Sequence, residues 1–307
     1  MKKPVYIFCS DLHYRSNQPS SRQDVNWLQS TYNDTQFLID TQNELQCPLI
    51  IAGDIWDKWW GEIRSYNLFN GLSDIFSRSL FPIYSIAGNH DLPNHVISEQ
   101  HRSAYQAFIE RNTRIEDITN THNGEVVDGK RFTIHGLPFN YDTIPNITKS
   151  DYNIAVIHKL VWETEPYIGA SKSGNVSAIR KEFSEFDLVV AGDNHIGFCN
   201  TESKPHIVNC GSMRCDTIAQ IGYRPRMCVL YSDLSIEPIY YPQDGVVLAE
   251  SVAVALNKRQ KRMAKFTEAI NNRKHEKKDL TNVINGLIVE TVPEVQAIVT
   301  NIKERSN

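Results

Sequence analysis

The stretch VVAGDNHIGF, residues 189–198, ends an apolar run in Ala-Gly and then places a carboxylate, an amide and an imidazole close together. The same arrangement occurs earlier in IIAGDIWD (50–57) and SIAGNHD (85–91). In α/β folds, the polar groups of a site sit where the chain leaves the carboxyl end of a strand. Glycine lets the backbone turn sharply there and approach a neighbour closely. The three stretches therefore predict three strands that deliver polar side chains to one shared edge.

Short apolar runs alternate with helical patterns on either side of these stretches. We predict strands at 4–9, 48–52, 81–87, 153–158 and 186–192, and helices at 27–45, 62–78 and 97–111. Asn-Gly and Asp-Gly signals within 122–139 indicate antiparallel hairpins, and 206–242 is typical of a closing antiparallel run. The alternation predicts an α/β fold with two mixed sheets packed face to face under helices.

The bulk composition excludes several classes of protein. The 307 residues are 41% hydrophobic, the net charge is −4 and the pI is about 6.2, so any nucleic-acid binding must use a local patch. No apolar run is long enough to span a bilayer, and the start MKKPVYIFCSDLHY reads as a first strand rather than a signal peptide. Six cysteines without a C-x-x-C pair indicate reduced thiols. We expect a cytoplasmic protein.

The texture of the sequence changes after Gly245. We predict a first domain over 1–242 and a helical extension over 246–307. Between 251 and 280, nine Lys and Arg face three acids, which gives a local charge of +6. A solvated helix face is one interpretation, and a docking arm for a partner or for phosphates is the other.

The predicted strand ends carry carboxylate, imidazole and amide groups: Asp11, His13, Asp54, Asn89, His90, Asp91, His158, Asp193 and His195. Such mixed clusters suit divalent transition metals, and two metals close together can clamp a phosphoryl group. A carboxylate that bridges both metals holds them at that separation, and Asp54 is the candidate for this role. The sequence shows no Ser-His-Asp order, no phosphate-binding Gly-rich loop and no Cys nucleophile.

The order D-x-H, G-D-x-x-D, G-N-H-D, a lone His and G-D-x-H resembles the calcineurin-like metallophosphoesterases over about residues 4–242. The resemblance implies a four-layer α-β-β-α sandwich with two divalent ions. It assigns one metal to Asp11, His13 and His195 and the other to Asn89, His158 and Asp193, with Asp54 shared. His90 would act on the leaving group, and Asp91 would orient the His90 ring.

The resemblance departs from the wider family at Asp193, where a histidine is usual. A harder oxygen ligand favours manganese, with Mg, Fe and Zn as alternatives. The run VNCGSMR (208–214) followed by PRMCVLY (225–231) is similar to the SbcD-type repair and recombination nucleases, especially the phage-encoded ones, although Cys210 stands where proline is usual. This similarity implies DNA as substrate, an SMC-like ATPase partner of the SbcC type bound through the C-terminal helices, and host cytoplasm as location if the gene is phage-borne. A homodimer is a further expectation.

Two rival functions stay open. One is a small-molecule or protein phosphatase on the same fold, and the other is a non-catalytic scaffold that recruits an ATPase. Several residues are also ambiguous. Asp57 suits a supporting or surface role, and Trp56, Trp59 and Trp60 favour core packing or a partner surface over stacking on unpaired bases. Loop 159–175 is a candidate substrate rim, and Arg214 is either a phosphate contact or a turn closure.

Overall fold

A computed structural model of the chain describes residues 2–61, 66–120, 122–147, 150–165, 170–220, 222–242 and 261–262. The chain divides into two compact units, Met1–Ala249 and Glu250–Asn307. All elements below belong to the first unit. The predicted helical extension over 246–307 lies outside the described residues, apart from positions 261 and 262.

Among the described residues of the first unit, twelve strands form the framework. In chain order they are β1 (Pro4–Cys9), β2 (Leu49–Ile51), β3 (Ile83–Ser85), β4 (Ile115–Asp117), β5 (His122–Val127), β6 (Lys130–Leu137), β7 (Tyr152–His158), β8 (Leu188–Gly192), β9 (Phe198–Asn200), β10 (His206–Asn209), β11 (Arg226–Tyr231) and β12 (Ile236–Tyr240). The helices are α1 (Trp27–Leu45), α2 (Tyr66–Phe76), α3 (Ala104–Arg111) and α4 (Val176–Glu182).

The strands form two six-stranded mixed sheets. The order in the first sheet is β12-β11-β1-β2-β3-β4, and in the second sheet it is β5-β6-β7-β8-β10-β9. Strands β1 to β4 are parallel, as are β6, β7, β8 and β10, and the outer strands β12, β11, β5 and β9 pair antiparallel. The predicted α/β fold with two mixed sheets is confirmed.

Strand β1 shows why the sequence builds four layers. Tyr6 and Phe8 point into an apolar layer between the two sheets, whereas Ile7 and Cys9 point into the layer under α1, α2 and α3. Strand β8 repeats this pattern, because Val189 packs under α4 on the outer face of the second sheet. A strand that is buried on both faces reads as a continuous apolar run, as PVYIFC and LVVAG do.

The helices follow their local signals closely. Helix α1 begins where the Asn26 side chain accepts a hydrogen bond from the Gln29 N–H, and it ends at Gln46, whose φ is 54°. The predicted helix over 97–111 is broken. A 3₁₀ helix covers Ile97–Arg102, and the extended Ser103 then caps α3 by accepting from the Gln106 N–H. The capping hydroxyl is a stop signal that the apolar spacing alone does not carry.

The predicted closing antiparallel run over 206–242 is wrong in part. Strand β10 pairs parallel with β8 in the second sheet, while β11 and β12 pair antiparallel in the first sheet. The chain therefore changes sheet between β10 and β11. In the described part of the chain, no helix combines the length and the apolar character that crossing a bilayer requires.

Candidate metal centre

Five strand ends meet at one edge of the two sheets. Strands β1, β2 and β3 are neighbours in the first sheet, and β7 and β8 are neighbours in the second. Their carboxyl ends lead into the predicted ligands, and the structure brings all seven together: Asp11, His13, Asp54, Asn89, His158, Asp193 and His195. The edge that the repeated Ala-Gly stretches indicate is therefore one site.

A first group of donors consists of Asp11, His13 and His195. The two Nε2 atoms of the histidines lie 3.0 Å apart. The Asp11 Oδ1 atom is 3.8 Å from His13 Nε2 and 3.9 Å from His195 Nε2. Two imidazole nitrogens and a carboxylate oxygen thus surround one point, which is the donor set of a transition-metal site.

A second group forms around His158. Its Nδ1–H donates to the carbonyl oxygen of Ala52 at 2.8 Å, so the Nε2 atom of the neutral ring carries a lone pair. That Nε2 atom lies 2.9 Å from Asn89 Oδ1 and 3.4 Å from Asp54 Oδ2. Three acceptors that point at one another require a cation or a proton between them. A proton on His158 meets this requirement in the metal-free site, and a divalent metal ion would meet it when bound.

Asp54 contacts both groups. Its Oδ2 atom is 3.6 Å from His13 Nε2 as well as 3.4 Å from His158 Nε2. Its Oδ1 atom accepts a hydrogen bond from the backbone N–H of His90 at 2.9 Å. This carboxylate is buried and central, which is the position that a bridging ligand needs.

Asp193 joins the two sheets at the site. Its backbone N–H donates to both oxygens of Asp11, at 3.1 and 3.2 Å. Four of the candidate ligands adopt left-handed backbone conformations, with φ of 52° at Asp11, 44° at His13, 55° at Asp54 and 80° at Asp193. Such strain in non-glycine residues costs on the order of 1–3 kcal/mol each and collects at functional sites.

The glycine of each repeated Ala-Gly stretch is needed because a side chain there would clash with a neighbour. A Cβ on Gly53 would lie 2.3 Å from His158 Nδ1, and one on Gly88 would lie 2.1 Å from Asp54 Oδ1. A Cβ on Gly192 would lie 2.2 Å from the Ala52 carbonyl oxygen and 2.7 Å from His158 Nδ1. Each glycine therefore makes room for a ligand that comes from another strand, and this explains the three repeats.

The electrostatics of the buried site favour positive charge. Burial raises the pKa of Asp11 and that of Asp193, because ionised carboxylates lose water there. Burial also disfavours the Asp54 carboxylate, but His158 outweighs it and holds the pKa of Asp54 well below its usual range. Burial opposes a charged His158 as well, yet Asp54 raises the pKa of that imidazole to about 10. Carboxylates crowded in this way gain from bound cations.

His90 lies beside the first group of donors but is exposed. Its ring meets the His13 ring edge-on, with centroids 4.9 Å apart. Its Nδ1–H donates to the main-chain carbonyl oxygen of Asp57 at 2.7 Å. Burial alone would lower the pKa of His90, but Asp54 and the Asp57 carbonyl together raise it. The contact with the Asp57 carbonyl makes Nδ1 a donor and leaves Nε2 as the free ring nitrogen.

Asp91 makes other contacts than the sequence analysis predicts. Its carboxylate accepts backbone N–H bonds from Ile55 at 3.2 Å, from Trp56 at 3.0 Å and from Gly88 at 3.0 Å. The hydrogen bonds of this fully buried group thus fix the loops after β2 and β3, while the Asp57 carbonyl holds the His90 ring. Burial raises the pKa of Asp91 to about 7. Sequence reasoning missed the carbonyl because a main-chain acceptor leaves no residue-type signal.

Two clefts adjoin the candidate ligands. One of about 430 Å³ is lined by His158 and Asp193 and by Lys159 from the predicted rim loop. Another of about 200 Å³ is lined by His13, His90 and His195 with others. Each group of donors therefore borders a cleft.

Two arginines near the smaller cleft differ in role. Arg15 lies between acids, with Nη1 3.4 Å from Asp57 and Nη2 2.9 Å from Asp216. Arg214 is buried, and its guanidinium carbon lies 3.8 Å from the centre of the Trp27 ring. Arg214 therefore packs against Trp27, and it also lines the smaller cleft.

The chain was compared with known proteins. A family model described as calcineurin-like phosphoesterase matches residues 5–197, which is more than half of the chain. A Staphylococcus aureus protein assigned as a 5′-nucleotidase, in complex with α-ketoglutarate, aligns with 83% of this chain and 58% of its own at 14% identity and a TM-score of 0.49. An archaeal phosphodiesterase aligns with 78% of this chain and 99% of its own at 14% identity and a TM-score of 0.40. This chain thus spans little more than half the length of the first of these proteins. No curated protein matches the sequence.

Proposed function

The chain belongs to the calcineurin-like phosphoesterase family, and from this premise we propose that it is a two-metal phosphodiesterase that hydrolyses DNA, a nuclease of the SbcD type in repair or recombination. The family consists of metal-dependent phosphoesterases with a dinuclear divalent site. The coarse chemistry follows from membership, and the DNA substrate is the part that we add.

The proposed ligands divide as the two groups of donors do. Asp11, His13 and His195 would hold one ion, Asn89, His158 and Asp193 would hold the other, and Asp54 would serve both. When bound, the two ions supply Lewis acidity, which neutralises phosphate charge and lowers the pKa of water. Three carboxylates against two divalent ions leave a net positive charge that attracts a phosphodiester. The oxygen of Asp193 favours manganese over zinc.

His90 is the proposed general acid. The Asp57 carbonyl occupies its Nδ1–H, so Nε2–H is the free donor toward the leaving oxygen of the phosphodiester. The exposed ring reaches substrate and recovers its proton from solvent. Positioned acids of this kind contribute on the order of 10²–10⁴-fold in rate.

The observation that carries the choice of a diester is the pair of clefts. A phosphomonoester has one substituent and needs one cleft beside the metals. A phosphodiester continues on both sides of phosphorus, and clefts flank both the His158 side and the His13 side of the site. A chain that crosses the site has room in both directions.

The tail of the first unit supports the SbcD-type assignment. The side-chain amide of Asn209 donates to the carbonyl oxygens of Asn194 at 2.6 Å and Ile196 at 3.0 Å. The Ser212 N–H donates to the His195 carbonyl oxygen at 3.3 Å, and the Met213 N–H donates to that of Asp11 at 3.4 Å. The run that resembles the SbcD-type turn thus braces two ligand loops.

The partner is part of the same proposal. We expect an SMC-like ATPase to bind the basic segment within 246–307, and a homodimer is compatible with this arrangement. Deletion of residues 246–307 should abolish capture of the ATPase while nuclease activity on short oligonucleotides persists. Equal capture by the deleted and full-length chains would contradict the docking role.

The decisive experiment is digestion of end-labelled single- and double-stranded DNA with Mn²⁺ or Mg²⁺, with and without the ATPase. The full-length chain should cleave DNA, and His90→Ala should lose about 10²–10⁴-fold in rate. His101→Ala is the matched control, because His101 is also exposed and its Nδ1 faces a backbone carbonyl, that of Ser98, at 3.0 Å. Loss in both variants would contradict a chemical role for His90.

The rival functions give different results in the same assays. Turnover of p-nitrophenyl phosphate without cleavage of any DNA would identify a phosphatase. Failure to bind Mn²⁺ at saturating concentration, with the ATPase still captured, would identify a scaffold.

A further inference from the structure

We propose that the turn Lys58–Gly61, called here the tryptophan turn, stacks on an unpaired DNA base next to the cleaved phosphate through Trp60. The inference rests on the proposed nuclease function and specifies its substrate as DNA with unpaired bases near the cut. Trp60 would be a specificity residue outside the metal centre.

The tryptophan turn is held on both sides. The Gly61 N–H donates to the Lys58 carbonyl oxygen at 2.8 Å, and Gly61 has a φ of 57° that suits glycine. The Ala104 N–H donates to the Trp59 carbonyl oxygen at 2.7 Å, which anchors the turn to the start of α3. A prebuilt turn loses little conformational freedom when a ligand binds.

The turn presents aromatic surface to water. Trp56, just before it, is fully buried and stacks on Phe69, so core packing accounts for that residue. Trp60 is 41% exposed, and the Trp59 ring supports it edge-on with centroids 5.4 Å apart. Large aromatic rings normally bury most of their area. A planar apolar ligand would cover the exposed face of Trp60.

A positive charge accompanies this aromatic surface. The Nζ of Lys58 lies 5.4 Å from the centre of the Trp60 ring, and Lys58 itself is exposed. Proteins that bind single-stranded DNA combine aromatic rings, which stack on the bases, with positive charges, which contact the phosphates. Neither feature demands a particular base, so the recognition tolerates sequence.

The tryptophan turn follows directly after a residue that lines the smaller cleft beside the candidate metal centre. Asp57 precedes Lys58, its carbonyl oxygen holds His90, and it lines the smaller cleft. Trp60 lies three positions after Asp57, so the Cα atoms of the two residues are at most about 11 Å apart. The Trp60 ring is therefore within reach of the nucleotides that flank a phosphate beside His90.

Stacking on Trp60 selects against intact duplex. Within a duplex, neighbouring bases cover both faces of each base, and exposing one face costs a few kcal/mol. In an overhang, a frayed end or a single strand, a base face is already exposed, so no duplex has to be opened. We therefore expect cleavage to favour unpaired bases at the cut.

The test compares two single-stranded oligonucleotides of equal length, one of thymidine nucleotides and one of abasic tetrahydrofuran nucleotides. One stacked base contributes about 1–3 kcal/mol, which corresponds to about 5- to 140-fold in affinity. In the full-length enzyme with Mn²⁺, Trp60→Ala should lower the preference for thymidine over abasic DNA, measured as the ratio of KM values, by that factor. Trp60→Phe keeps a ring and should lower the ratio less.

Tyr152→Ala is the matched control. The Tyr152 ring also has lysines nearby, because Lys130 Nζ lies 5.3 Å and Lys204 Nζ 5.9 Å from its centre. Tyr152 is the first residue of β7, at the end of the strand opposite His158. This variant should keep the wild-type ratio. Circular dichroism and thermal unfolding should show that each variant is folded.

Each other outcome overturns the inference in a recognisable way. A preference for thymidine DNA that Trp60→Ala leaves unchanged would show that Trp60 touches no base, although the nuclease proposal would stand. An equal loss on both oligonucleotides would assign Trp60 a structural role. If wild-type enzyme cleaves duplex DNA but neither oligonucleotide, the stacking inference fails and the nuclease proposal stands. If it cleaves no DNA of either kind, both fail.

Discussion

Substituting Gly192 with alanine should weaken metal binding more than it weakens the fold. The new Cβ would lie 2.2 Å from the Ala52 carbonyl oxygen and 2.7 Å from His158 Nδ1. These are the two partners of the 2.8 Å hydrogen bond that aims His158 at the second group of donors. The methyl group must push at least one of them away.

Gly136 provides a matched control, because a side chain there would also clash with a carbonyl oxygen but not with a candidate ligand. A Cβ there would lie 2.2 Å from the Ile118 carbonyl oxygen, but its other near neighbour is Ile86 rather than a candidate ligand. Both glycines lie in strands of the second sheet. Overpacking of this kind costs about 1–3 kcal/mol, so both variants should lose a similar free energy of unfolding.

The two variants should differ in metal affinity. Partners that orient a metal-bound histidine typically contribute about 10–100-fold to metal affinity. Gly192→Ala should therefore raise the Kd for Mn²⁺ by about that factor, while Gly136→Ala should stay within about threefold of wild type. Isothermal titration of the chelated protein gives the Kd, and urea unfolding in EDTA gives the folding cost. Equal Kd values for the two variants would refute the argument that the Ala52–His158 bond prepares the site.

The remaining predictions use other groups. Asp193→His should shift the activity ratio of Zn²⁺ to Mn²⁺ upward, since imidazole is softer than carboxylate, and an unchanged ratio would remove Asp193 from the ligand set. Asp91→Ala should leave three buried N–H donors unpaired at about 1–3 kcal/mol each, so urea should show a large loss of stability, whereas a loss below about 1 kcal/mol would contradict the contacts described. Burial raises the pKa of Asp34 from 3.8 to about 6 against the opposing effect of Arg214, so the stability that Asp34 contributes is present below pH 3.8 and is lost as the pH rises through about 6. Asp34→Asn should reduce the pH dependence of the free energy of unfolding between pH 3.8 and about 6. An unchanged pH dependence would show that Asp34 does not titrate in this window.

Much of the fold is readable from the sequence because its strands are buried on both faces. PVYIFC has no polar interruption, and helix α1 carries its own capping asparagine, so their bounds follow from local signals. The candidate ligands were predictable as a set, since polar residues of suitable type follow five apolar runs in an ordered pattern. Strand ends of parallel strands must meet at one edge, and this geometry turns a pattern in sequence into a cluster in space.

The details that escaped prediction depend on the main chain or on distant partners. The Asp57 carbonyl, rather than the Asp91 carboxylate, holds the His90 ring, because loop conformation decides whether a side-chain or a backbone acceptor faces it. Strand β10 looks like β11 in sequence, and only its place beside β8 assigns it to the second sheet. The exposure of the Trp60 ring depends on the conformation of the turn that holds its backbone, and residue type alone does not predict that conformation.

The pairing of β1 with β11 affects how the protein folds during its synthesis. Asp11 and His13 leave the ribosome early, but the strand that closes their sheet, Arg226–Tyr231, is synthesised more than 200 residues later. Long-range pairing of this kind delays folding until the late segment emerges. Until that segment emerges, Asp11 and His13 lack the complete sheet that positions them, so we expect the candidate metal centre to form only after Arg226–Tyr231 has been synthesised.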